Sequence, residues 1–364
     1  MGSKNRNKKN KKLALKSKIK DEYLPFISLC TPTFNRRPFI NQCIKNIMNQ
    51  TYPIERMEWI IIDDGTDKVG DLFQDISFAK YISLDERVTL GKKRNMLLNE
   101  AKGDIIINID DDDFYPKERV KHAVTELLKS DKLIAGTSEI YVSYNGKGIY
   151  KFGPYGNNHA TAGTFAFKRE LLNNTAYKDD SCFAEEKHFL NNYTIPLLQL
   201  NPFKTILVFK HAHNTIDKEQ FIKDGDSKYV TKTDYKHDKF FMNEQEVLFY
   251  DTQIHNDLSQ YDHGLPKHKP DVLQKLKEIR ESNENDNQKS NENDNQKSNE
   301  NDNPNGQMFM TDDTGRRQIT NRDLIQYYNK QKEALIEYKS TIDILTKKLE
   351  QQGKIIETLK NKIE

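Results

Sequence analysis

The chain has 364 residues, 35% of them hydrophobic and 31% charged, with a formal net charge of +2, which allows one domain of roughly 200 to 250 residues plus appendages. No apolar run approaches the ~18 to 20 residues that cross a bilayer, and the N-terminus lacks an apolar signal segment, so a soluble, at most peripheral, cytoplasmic protein is expected. Cys30, Cys43 and Cys182 lack metal-ligand spacing and leave one thiol unpaired, which argues against a zinc knuckle or a disulfide framework.

Residues 1–22 form a basic tail with nine Lys or Arg up to Lys20 and no acid before Asp21. Such a tail reads as disordered, with weak attraction to an anionic surface. Met1-Gly2 is followed by Arg6 where a myristoylation signal needs Ser or Thr.

From Tyr23 to about Thr215, β-rich runs alternate with helical stretches, as in an α/β fold with a parallel core. Strands are predicted at Phe26–Cys30, Trp59–Ile62, Ile105–Ile109, Leu133–Val142, Thr161–Phe167 and Thr205–Phe209, and helices at Phe39–Asn49, Gly91–Ala101 and Lys117–Lys129. The domain is placed at 23–255, with a helical extension at 256–281 that has no assigned role. Residues 282–320 read as a linker: Ser282–Lys289 recurs unchanged at 290–297 and has no apolar residue to offset its ordering entropy. Residues 321–364 fit a heptad, with Asn321, Tyr328, Leu335, Ile342, Leu349, Ile356 and Ile363 at a and Leu324, Gln331, Tyr338, Leu345, Gln352 and Leu359 at d, which predicts a coiled-coil homo-oligomer.

The most informative feature is Asp110-Asp111-Asp112-Asp113 at the end of the Ile105–Ile109 run. Two carboxylates about 4 Å apart repel by several kcal/mol at an effective dielectric near 20, so either their pKa values rise or a cation sits between them. Hard divalent cations prefer such oxygens, and α/β sheets gather ligands at the carboxyl ends of their strands. The run therefore reads as a site for Mn²⁺ or Mg²⁺. Four further segments accompany it: Thr31-Pro32-Thr33-Phe34-Asn35-Arg36-Arg37 after the first strand, Asp63-Asp64-Gly65 after the second, Gly91-Lys92-Lys93-Arg94-Asn95 opening a helix, and Phe183-Ala184-Glu185-Glu186 opening an acidic helix.

In order and spacing these segments resemble the family 2 glycosyltransferases of the GT-A fold, over roughly residues 24 to 215. The resemblance implies a Rossmann-like mixed sheet flanked by helices and an inverting transfer from a nucleoside diphosphate sugar to a hydroxyl of a glycan, protein or lipid. It makes Asp110 and Asp112 metal ligands, with His213 of His211-Ala212-His213 completing the sphere. Asp111, Pro32, Thr33, Asp63, Asp64 and Arg94 become nucleotide contacts. The family's usual Glu-Asp is Glu185-Glu186 here, so Glu186 takes the place of the general base and Glu185 is the alternative. Trp59 reads as core. The Asn- and Lys-rich composition with its repeat looks like that of chains from AT-rich genomes, large DNA viruses among them.

Two other readings compete. One is an inactive GT-A domain kept as an oligomeric scaffold, for which four adjacent acids have no use. The other is a nucleotidyltransferase, which would carry a Gly-rich phosphate loop after the first strand, whereas Thr31–Arg37 contains no glycine.

Overall fold

Parallel strands buried on both faces are written as near-continuous apolar runs, and 59–62 and 105–107 are such runs in the sheet of this protein. A computed structural model describes residues 24–215, 218–223, 228–278 and 281, and the backbone of 309–312 and 315–318. The basic tail and the heptad segment lie outside the described residues. Ile27–Thr33 (β1) pairs in parallel with Met57–Asp63 (β2) on one side and Ile105–Asn108 (β4) on the other, and β2 pairs with Ala79–Ser83 (β3). Ala166–Lys168 (β8) runs antiparallel to β4 and to Ile134–Gly136 (β5), and Leu197–Gln199 (β9) closes the edge, giving the order β3-β2-β1-β4-β8-β5-β9. Strand order reverses at β1, so the crevice at the carboxyl ends of β1 and β4 is the topological switch point where open α/β sheets bind ligands.

Alternate residues of each strand point to opposite faces. Leu29, Trp59, Ile61 and Ile107 pack on one side with Ile40, Cys43 and Ile47 of Arg37–Met48 (α1) and Val120, Val124 and Leu127 of Arg119–Leu128 (α3). Cys30, Ile60, Ile62 and Ile106 pack on the other with Leu97 and Leu98 of Leu90–Glu100 (α2) and with Phe165, Phe167 and Phe189. Trp59 is fully buried and its indole N–H donates to Thr31 Oγ1 at 2.9 Å, a core residue as expected.

The expected strand Leu133–Val142 is two strands in two sheets. Gly136 packs against Ala160 and Thr164, where a Cβ would come within 2.7 Å of the Ala160 Cβ. The chain then leaves the large sheet, and Ile140–Tyr144 (β6) joins Gly148–Phe152 (β7), Leu207–Lys210 (β10) and Val230–Lys232 (β11) in a second sheet of order β10-β6-β7-β11. The expected strand Thr161–Phe167 begins as a 3₁₀ turn, Ala162–Thr164, and turns extended only at β8. Within the stretch read as linker, Phe309–Asp312 (β12) pairs antiparallel with Gly315–Gln318 (β13). Among the described residues no helix is long and apolar enough to cross a membrane.

Candidate active site

The extended geometry of β4 stops at Asn108, so Asp110 to Asp113 lie in a bend and do not alternate as a strand would. The bend is braced from below: Asp110 N donates to Tyr115 Oη at 2.8 Å, and Tyr115 donates to the Gly163 carbonyl at 3.3 Å. A Cβ at Gly163 would sit 2.4 Å from Asp110 Oδ2, so a larger residue there would push that carboxylate aside. Asp113 faces inward, accepting from Phe209 N at 3.0 Å, and Phe114 exchanges backbone hydrogen bonds with Leu207. These bonds tie the acidic bend to β10 and bring the following histidines to it.

Each remaining carboxylate meets a cation of the chain itself. Arg36, buried at the foot of α1, places Nη2 3.1 Å from Asp112 Oδ2 and Nε 3.6 Å from Asp111 Oδ1. Arg94 donates from Nη2 to Asp110 Oδ1 at 3.1 Å and from Nε to Glu185 Oε1 at 2.6 Å. Burial raises the Asp110 pKa, and burial together with the Asp112 charge pushes Asp111 up to about 7. Burial opposes the charge of Asp112 too, but Arg36 and His211 outweigh it and hold that carboxyl below its usual range.

His211, not His213, is the histidine at the acids. Its Nε2 lies 3.1 Å from Asp112 Oδ2, and its Nδ1 accepts from His213 N at 3.2 Å, which puts the ring proton on Nε2. The His213 ring turns away to stack on Tyr261 at 6.0 Å, beside Gly264. The expected metal role of His213 is thus corrected by geometry, since three residues after β10 the chain has already turned.

The donor set suits a hard divalent cation. The Asp110 side chain is 28% exposed, Asp112 is 17% exposed, and Asp111 Oδ2 is buried with no hydrogen-bond partner. Asp110 and Asp112 would hold such an ion, with His211 orienting Asp112 as a donor. Among the described residues no three His, Cys, Asp or Glu side chains already converge as a ligand cluster. Arg36 occupies the charge-neutralising position instead.

The two aspartates after β2 are turned inward. Asp63 is completely buried and accepts from Gly65 N at 2.8 Å, Val69 N at 3.1 Å and Tyr81 Oη at 2.7 Å, so it organises its own loop. Asp64 accepts from Val88 N at 2.9 Å and pairs with Lys93, which also donates to the Thr33 carbonyl at 2.9 Å. Lys92 is exposed and Arg37 pairs with Asp67 and Asp71 at the surface, whereas Arg36, Lys93 and Arg94 are buried.

A cavity of about 200 Å³ lies over these groups, lined by Pro32, Thr33, Phe34, Arg36, Arg87, Lys93, Arg94, Asp110, Asp111 and Asp112. Lys269 and Val272 line it as well, and they belong to the extension at 256–281, for which the sequence suggested no role. Arg87 pairs with Asp271, and Lys269 donates to Thr215 Oγ1 at 3.0 Å, so the segment lies as a strap across the crevice. Burial and the neighbouring Arg36 lower the Lys269 pKa to about 7. Arg87, Lys93 and Lys269 surround the Phe34 ring at 5.1, 5.9 and 5.9 Å.

The two glutamates take different environments. Ala184 is in the left-handed region (φ 53°), which turns Glu185 inward to Arg94 and sets Glu186 at the start of the short helix Glu186–Phe189 (α4). Glu186 makes no ion pair among the described residues, and burial with the adjacent Glu185 charge pushes its pKa up to about 7. The loop that carries it is fixed to α2: Gly91 N donates to the Ser181 carbonyl at 2.8 Å, and Asn95 Nδ2 donates to the Tyr177 carbonyl at 2.8 Å. A basic crevice, an acidic bend and an uncompensated carboxyl with a pKa near neutrality therefore converge at the end of one sheet.

The family described as glycosyl transferase family 2 has a model that matches residues 28–193. The chain is similar to an uncharacterized glycosyltransferase of Haemophilus influenzae, at 29% identity over 35% of this chain and 52% of that protein. It is also similar to a GalNAc(5)-diNAcBac-PP-undecaprenol beta-1,3-glucosyltransferase of Campylobacter jejuni, at 25% identity over 47% of this chain and 60% of that protein. The chain thus spans about half to three fifths of the length of these relatives. Among solved structures, residues 1–349 of S. aureus TarS give a TM-score of 0.44 at 19% identity, covering 50% of this chain and 60% of that one.

Proposed function

From the premise that residues 28–193 are a glycosyl transferase family 2 domain, we propose that this protein transfers a sugar from a nucleoside diphosphate sugar to an acceptor hydroxyl with inversion. The observation that carries the proposal is Arg94, whose guanidinium joins Asp110 of the acidic bend to Glu185 beside Glu186. One side chain thereby sets the leaving-group side and the candidate base in fixed relation.

Pro32 and Thr33 form a wall for the nucleoside, and Arg87, Lys93, Arg94 and Lys269 make the crevice attractive to a diphosphate. A Mn²⁺ or Mg²⁺ ion bound by Asp110 and Asp112 would supply electrophilic assistance to the departing diphosphate. Arg36 fits a second task, counterbalancing Asp111 and Asp112 when no diphosphate is present. Glu186, with a pKa near 7, is suited to accept the proton of the attacking hydroxyl, since a base is most effective when its pKa lies near the working pH. Asp63 falls outside this scheme, and Asp64 acts through Lys93.

The test is hydrolysis of a panel of UDP- and GDP-sugars by the full chain with and without Mn²⁺. Divalent-dependent release of UDP or GDP from one donor supports the reading. Failure to bind or hydrolyse any of them would overturn it.

A further inference from the structure

Outside the crevice four rings stand in a row. Tyr193 and His159 have centroids 4.9 Å apart, His159 and Tyr155 are 4.9 Å apart, and Tyr155 and Tyr229 are 5.2 Å apart. Tyr155 is 41% exposed and Tyr229 39%, so both rings present a face to solvent. Beside them lies a groove of about 470 Å³ lined by Tyr155 and Tyr229 together with the polar Glu139, Asn157 and Lys228. An apolar wall facing hydrogen-bonding groups matches a ligand with a C–H face and a hydroxyl edge, which is the chemistry of a pyranose ring.

The row is rigid before any ligand arrives. Ser138 Oγ accepts from Tyr155 N at 2.7 Å and from Gly156 N at 3.0 Å, while Gln199 Nε2 donates to the carbonyls of Asn157 and His159, both at 2.9 Å. Gly153 (φ 87°) lets the loop turn against Ser138, where a Cβ would meet the carbonyl at 2.1 Å. Ordering costs are thereby avoided on binding. The inner end of the row leads to the proposed base: Asn191, Asn192 and Tyr193 all have positive φ immediately after α4, and this left-handed turn seats Tyr193 seven residues from Glu186. Such runs cost energy and persist where the surroundings require a particular side-chain placement. Burial, and next the Glu186 charge, raise the Tyr193 pKa, which agrees with their proximity.

We propose that Tyr193, His159, Tyr155 and Tyr229, with the groove beside them, form a saccharide-binding subsite that delivers a carbohydrate acceptor to Glu186. The acceptor role rests on the transferase reading above; the saccharide-binding role does not. Tyr155 and Tyr229 hold the sugar remote from the reaction, and Tyr193 lies next to the sugar that accepts the transferred residue.

The experiment is saturation-transfer difference NMR of the full chain with cellotetraose, chitotetraose and mannotetraose as probes. Saturation transfer to the ring protons of at least one probe is expected, with affinity reduced roughly 3- to 10-fold in Tyr155→Ala and in Tyr229→Ala. Tyr155→Phe should restore most of it, because the ring and not the hydroxyl makes the contact. Melting curves check that the variants fold. Absence of transfer to all three probes, or wild-type affinity in both alanine variants, would overturn the subsite. Donor hydrolysis by the wild type separates the two readings: hydrolysis without saccharide contact removes the subsite alone, and saccharide contact without hydrolysis of any donor upholds the site and removes the transferase.

Discussion

Arg36 Nη2 lies 3.1 Å from Asp112 Oδ2, so the strongest acidic concentration in the chain is neutralised from within. Breaking a buried pair leaves an uncompensated charge and costs about 3 to 5 kcal/mol. Arg36→Met is therefore expected to lower the melting temperature sharply at pH 7. Added Mn²⁺ should restore part of the loss, and should raise the melt of the variant more than that of the wild type. A variant as stable as wild type without metal would show that Arg36 does not balance the acids.

Asp112→Ala removes the other half of that pair and, on the proposed reading, a metal ligand. It also removes one of four crowded carboxylates, and His211 stays neutral because burial lowers its pKa to about 3 even beside Asp112. The expected result is a folded protein with divalent-dependent donor hydrolysis abolished. Undiminished hydrolysis would remove Asp112 from the site.

The parts of this site that lie on strands were legible in the sequence, because β2 and β4 carry the apolar runs 59–62 and 105–107, β1 is mostly buried, and all three lead into polar residues. β3 was not, since its residues are half-exposed and form no apolar run. The break between β5 and β6 was hidden because Gly136 and Ser138 act through contacts with Ala160, Thr164 and the Tyr155 loop, distant in sequence. Among charged residues the sequence shows which types are present but not which way they face. Arg36 and Lys93 are buried while their neighbours Arg37 and Lys92 face outward, and His211 takes the position expected of His213. Lys269 had no signal at all, because its place over Phe34 depends on the path of the strap.

The strap suggests a kinetic test. The cavity of about 200 Å³ is below the ~300 to 1,000 Å³ usual for ligand sites, so a nucleoside diphosphate requires Lys269 and Val272 to shift. The Arg87–Asp271 pair that tethers them is about one-quarter exposed on each side and contributes on the order of 1 kcal/mol at most. Asp271→Asn should then raise the observed association rate of UDP or GDP by roughly 2- to 5-fold, through a larger open fraction. Stopped-flow binding would measure it, and an unchanged or slower rate would show that the strap does not limit entry.

Glu186 gives a prediction in which rate and stability move in opposite directions with pH. Its carboxyl is raised from an ordinary 4.5 to about 7 in the fold, by burial first and by Glu185 second. Between those values the folded state binds more protons than the unfolded state, so the contribution of this group to stability is fully present below pH 4.5 and is lost as pH rises through 7. Glu186→Gln lacks that loss. Its melting temperature should match wild type near pH 4.5, exceed it progressively up to pH 7, and keep a constant advantage above. As general base the same group must be ionised, so wild-type transfer should rise with pH and level off above about 7, while Glu186→Gln falls by at least ~10²-fold at every pH. Glu185→Gln supplies the contrast: it takes a buried partner from Arg94, so it should lose stability at neutral pH. A Glu186→Gln enzyme with wild-type transfer would exclude Glu186 as the base, and one whose stability relative to wild type is flat with pH would show that the fold does not raise its pKa.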